Sequence, residues 1–114
     1  MGRKSILEPY AILPAGDMSA DVIGPETSVK NLDQITYEIV WSGTSPIGNI
    51  EVQTQVKDVW QAIALPTISV SGNSGSHLIT INSASHFHKL RVKYVWTSGT
   101  GALTINIIGA VLGA

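Results

Sequence analysis

Three histidines, four aspartates and a run of serines are the residues through which this 114-residue chain could do chemistry. In "HFHK", His86 and His88 stand two apart, which on a strand places them on one face. Such a pair begins a metal site when neighbouring strands complete the three or four ligands zinc requires. His77 is the remaining histidine that could join them, and a polar strand edge beside a loop explains the pair without any metal. Glycoside hydrolysis needs two carboxyl groups about 5–10 Å apart. Asp17, Asp21, Asp33 and Asp58 fall instead in turns or at strand ends, where an aspartate supports the local backbone. No Gly-x-Ser-x-Gly elbow presents a nucleophile. The glycine-rich "SGNSGS" and "TSGTG" have no phosphate-loop lysine and no following helix. Without cysteine there is no disulfide scaffold, zinc-thiolate site or thiol nucleophile. No set of residues supports catalysis, so the expectation is a protein that is not an enzyme and carries no cofactor.

The elements that would position any site read as strands. Period-two alternation between clusters of Gly, Ser, Pro and Asn dominates, with no sustained helical period. In "QITYEIVW", Ile35, Tyr37, Ile39 and Trp41 share one face. In "NIEVQTQV", Ile50, Val52, Thr54 and Val56 oppose Asn49, Glu51, Gln53 and Gln55. "HKLRVKYVW" turns Leu90, Val92, Tyr94 and Trp96 inward and Lys89, Arg91 and Lys93 outward, and "ALTINII" aligns Leu103, Ile105 and Ile107. Weaker strands are expected at "ETSVKNL", "VWQAIAL", "TISVSG" and "HLITIN". "SGTSPIG" and "TSGTG" read as turns, and "SGNSGS" as a flexible link. Short strands at regular spacing describe an all-β fold, a single antiparallel β-sandwich of jelly-roll type. The prolines and scattered apolar residues at the start read as an extended N-terminal arm over 1–25, leaving 26–114 as the sandwich. Trp41 and Trp96 fall in phase with the core, and Trp60 is open to either a core or a surface role.

Composition narrows the partners. Apolar residues make up 44% of the chain and charged ones 13%, roughly half the usual charged share of about 25%. So little charge suits a protein whose surface is partly covered by other subunits. A net charge of -1 argues against nonspecific nucleic-acid binding. Glu8, Pro9 and Pro14 interrupt the apolar run a secretion signal needs, and Ile6 stands where a myristoylation motif needs Ser or Thr. "LTINIIGAVLGA" is too short for a membrane helix. Synthesis in the cytoplasm, without membrane contact, is the expectation.

Several segments, taken in order, carry a family resemblance: Gly16-Asp17-Met18-Ser19, Trp41-Ser42-Gly43-Thr44, Gly48 to Gln53, Trp60, Leu90-Arg91-Val92, Tyr94, and Thr97 to Leu103. From about Leu13 to Gly109 the chain resembles a family of small virion-associated β-sandwich proteins encoded by tailed bacteriophages and their prophages. One departure is "TQVKDVW", where the family often has a longer Ser-x-Asp turn before the tryptophan. The resemblance implies a structural role on the virion, foremost a capsid decoration or cement subunit made in the host cytoplasm. Its partners would be the major capsid protein and copies of itself. Related small sandwiches serve as neck or tail accessories, and a carbohydrate-binding attachment module is the rival function. The residues expected at an assembly interface are Arg3, Lys4, Ile6, Leu7, Tyr10 and Ile12 on the arm. Asn49, Glu51, Gln53 and Gln55 would join them from a polar strand face.

Overall fold

The structure, a computed structural model, describes residues 4–6, 10–29, 33–63, 68–82, 84 and 87–112. Its frame is a pair of long antiparallel strands, β5 (Gln34–Val56) and β9 (Lys89–Leu112). One edge of β5 carries β6 (Val59–Ala62), β7 (Ile68–Val70) and β8 (Ser74–Ile81). The far edge of β9 carries β1 (Lys4–Ile6), β2 (Tyr10–Asp17), β3 (Val22–Ile23) and β4 (Thr27–Ser28). Every pairing is antiparallel, and the all-β class expected from the alternation is what the chain adopts.

The β5–β9 pair bends at its middle, dividing the sheet into two halves. The register runs Thr44 opposite Thr100, then Ile47 opposite Ser98, then Gly48 opposite Trp96. One extra residue is thus inserted first in β5 and then in β9. Because side chains alternate with period two, each insertion reverses which parity faces inward. In the first half the odd residues are buried: Ile35, Tyr37, Ile39 and Trp41 against Leu103, Ile105 and Ile107. In the second half the even ones are: Ile50 and Val52 against Leu90, Val92 and Tyr94. Both halves feed one core, which also takes Met18, Val22, Val29, Val70, Ile79 and Ile81. The halves meet near Gly24, where an added Cβ would lie 3.2 Å from Cδ1 of Ile105, so the first half reaches the second across the core. The molecule is elongated, about 50 × 30 × 22 Å.

Three expectations change. "SGTSPIG" and "TSGTG" are not strand-ending turns; they pair with each other and form the bend inside two continuous strands. Gly99 has φ +83°, and a Cβ there would lie 2.1 Å from the Ser45 carbonyl oxygen, so only glycine fits. Trp96, in phase with the buried Tyr94, is 41% exposed. It sits where the inserted residue breaks the phase, and its indole Nε1 donates to the Gly99 carbonyl at 2.9 Å. The N-terminal segment, expected as an arm, runs as strands along β9, with Lys4–Ile6 opposite Ala110–Leu112 and Tyr10–Asp17 opposite Ala102–Ile107. Unpaired β9 backbone is a strong template for an extended chain, and this outweighs the prolines.

The short turn before Trp60 is a two-residue hairpin. Val56 pairs with Val59, and Lys57 and Asp58 both take positive φ (49° and 68°). This is the primed turn that matches strand twist. At the end of β2, Asp17 closes the turn by accepting from the Ser19 hydroxyl at 2.8 Å and its backbone N–H at 3.0 Å. Those two bonds hold its carboxyl below the ordinary aspartate value, the hydroxyl contributing most. Met18 is fully buried beside it, which gives Gly-Asp-Met-Ser a folding role.

Candidate interaction surfaces

The outer face of the second half holds the polar residues expected at an interface. Gln53 stands opposite Arg91, Glu51 opposite Lys93 and Asn49 opposite Val95, while Gln55 faces Trp60 on β6. Gln53 donates from Nε2 to the Glu51 carboxylate at 2.7 Å and accepts from Arg91 Nε at 2.8 Å. The Arg91 guanidinium lies 4.1 Å from the centroid of the Trp60 ring, a cation–π contact. The result is a connected layer, Glu51–Gln53–Arg91–Trp60, in which Gln53 is only 7% exposed. Asn49 is exposed, and Glu51 and Gln55 are half-buried. Of the four expected contact residues, Gln53 is therefore occupied with the protein's own polar groups. Around the layer, Lys89 pairs with Glu26 at 3.1 Å and Lys93 approaches Asp21 at 3.9 Å. Asp21 also accepts the backbone N–H of Trp96.

Beneath this face Tyr94 is fully buried, and its hydroxyl has no hydrogen-bond partner among the described residues. Burial, and secondly the charge of Asp21, raises its pKa above the ordinary tyrosine value.

The outer face of the first half is built differently. Glu38 accepts from Asn106 Nδ2 at 2.9 Å, Thr36 and Thr80 share a hydrogen bond at 3.1 Å, and Gln34 donates to Asn82 at 2.7 Å. Beside the first two lies a shallow groove of about 250 Å³ lined by Thr36, Glu38, Leu78, Asn106 and Ile108. Leu78 is 65% exposed and Ile108 38%. Neither residue was singled out by the sequence pattern, although each stands next to a buried isoleucine (Ile79, Ile107). Two adjacent apolar residues on a strand cannot both face the core.

Arg3 and Leu7, expected at the interface, lie outside the described residues, as does His86. Lys4 and Ile6 stand on β1, and Tyr10 begins β2. Ile12 is half-buried and packs on the core. His77 is exposed on β8, and His88 is exposed in the bend before β9. Among the described residues no three His, Asp or Glu side chains gather as a metal site, and no helix is long and apolar enough to cross a membrane.

No family model matches the chain, and no curated protein matches it by sequence. Solved structures do share the fold. The SPBc2 prophage-derived protein YomS superposes with a TM-score of 0.62 at 16% identity, over 97% of this chain and 96% of that one. A chain from the structure of infectious bursal disease virus Gx strain gives a TM-score of 0.61 at 10% identity, covering 98% of this chain and 33% of the viral one. The N-terminal cellulose-binding domain of Cellulomonas fimi β-1,4-glucanase C gives 0.50 at 10% identity, over 93% and 78%. At these identities the likeness is one of fold, and the chain is a β-sandwich of the kind found in viral, prophage and carbohydrate-binding proteins.

Proposed function

We propose that this chain is a structural protein of a tailed-phage virion, a decoration or cement subunit that bridges neighbouring capsid proteins. The observation that carries this reading is the end-to-end fold shared with a prophage-derived protein of nearly the same extent. The ordered segments resembling small virion-associated sandwiches and the 13% charged content support it. A decoration subunit needs a rigid body with faces to spare, and weak contacts repeated over many equivalent sites add up through avidity. A glycan-binding attachment module is the second reading. It is favoured by the half-buried Trp60 and by the fold shared with a cellulose-binding domain.

Quantitative mass spectrometry of gradient-purified particles, with heads and tails separated, tests the assignment. A copy number in the hundreds on heads is expected. A few copies on tails would move the role to an accessory part, and retention of the purified protein on glycan arrays would favour attachment.

A further inference from the structure

A β-sheet ends in strands whose outward N–H and C=O groups can pair with any extended chain, and soluble proteins guard such edges. The described edges differ in how they are guarded. β1, β3, β4, β6 and β7 are each four residues or shorter, and shortness is itself a guard. β2 is eight residues long, but it contains Pro14, which has no N–H, and its register shifts between Ala11 and Leu13 and again between Leu13 and Gly16. β8 is also eight residues long and has none of these devices. Its pairing with β5 runs unbroken from Ile35 opposite Ile81 to Ser42 opposite Ser74. "SGSHLITI" contains no proline, lysine, arginine, aspartate or glutamate. Among the described residues no strand pairs with its other edge.

We propose that β8 is the self-association edge of this protein, pairing antiparallel with β8 of a second copy about a two-fold axis. This deepens the reading of the chain as a repeating structural unit. A second copy is the occupant that fits, because a two-fold contact requires a patch complementary to itself. An edge without formal charge meets its own copy without repulsion. An axis through Leu78 sets that residue beside Leu78 of the second copy and Ser76 opposite Thr80. Outward side chains then stay on the outward face. The pairing shields Leu78, the most exposed large apolar side chain described, and joins the two grooves lined by Leu78 and Ile108 into one. Eight residues of edge extend about 27 Å, most of the 30 Å middle dimension of the molecule.

Sedimentation equilibrium and oxidative cross-linking of the full chain test the pairing. The wild type is expected at twice its 12.1 kDa monomer mass. Leu78→Lys and, independently, Ser76→Lys place a charge on the edge, and each should raise the dimer dissociation constant by at least about tenfold. Val59→Lys, on the exposed tip of β6, should leave it unchanged. Because the chain has no cysteine, Leu78→Cys gives a single thiol, which should oxidise quantitatively to a covalent dimer. Ile23→Cys, exposed on the opposite side of the sheet, should form no covalent dimer. A monomeric wild type, or edge variants that dimerise as tightly as the wild type, overturns the pairing. A monomer that still occurs on particles defeats the edge and leaves the virion role standing; a β8-linked dimer absent from particles does the reverse.

Discussion

β2 and β8 are edge strands of equal length that flank the same half of the β5–β9 pair, yet they meet solvent in opposite ways. β2 is interrupted by Pro14 and two register shifts and closes on the Asp17 turn, whereas β8 runs regular and uncharged to its end. Both strands put residues into the same core, so core packing does not account for the difference. One edge is closed to further pairing and the other is left as a template. The two outer faces repeat the contrast. The second half binds its polar side chains to one another through Gln53 and Arg91, while the first half leaves Leu78 and Ile108 in the open.

The largest effects are expected at the seats of the two strands. Gly75 of β8 lies against the Trp41 indole, where an added Cβ would sit 2.4 Å from the ring. The ring cannot move without disturbing the core, so Gly75→Ala should destabilise the fold by about 2–3 kcal/mol, read as the urea midpoint. Gly16 of β2 would press its Cβ at 2.9 Å on Leu13 Cδ2, the end of a half-buried side chain that can swing aside, and on Val22 Cγ1. Gly16→Ala should therefore cost less, about 1 kcal/mol. Equal losses would mean that the two edges are seated alike.

At the surface the expected effects shrink. Leu78→Ser should change monomer stability by no more than about 0.5 kcal/mol, since Leu78 is mostly exposed and outside the core, and should still weaken self-association. The smallest effect concerns the Asp17 turn that closes β2. Because the folded carboxyl has a lowered pKa, its contribution is complete above the ordinary aspartate value and fades as pH falls through the folded value. Asp17→Asn should thus narrow the difference between urea midpoints at pH 7 and pH 3. At the alkaline end Tyr94 acts with the opposite sign. Its raised pKa makes stability fall as pH climbs past the ordinary tyrosine value, and Tyr94→Phe should remove that loss.

Much of the sandwich was legible in the sequence because burial imposes period two. Ile35 to Trp41 on odd positions and Ile50 to Val52 on even ones already contain the change of phase between the halves. The pattern could not show that the change occurs inside continuous strands. Glycine and proline mark a bulge and a turn alike, and only the partner strand decides between them, as Gly43 opposite Gly101 does. Trp96 misled for the same reason, since parity carries no information across an inserted residue. The N-terminal segment looked irregular because β2 really is irregular; what made it a strand was the vacant side of β9, far away in sequence. On the polar face, residue type separated the polar side of the strand from the apolar one, but did not show that Gln53 would be buried there by meeting Arg91 across it.

The proposed role of this sandwich as a repeating part of a virion is open to cryo-electron microscopy of particles from the culture that produces the chain. Density for the sandwich is expected at every equivalent site on the head, with copies meeting along β8. Particles whose heads carry no such density would contradict it.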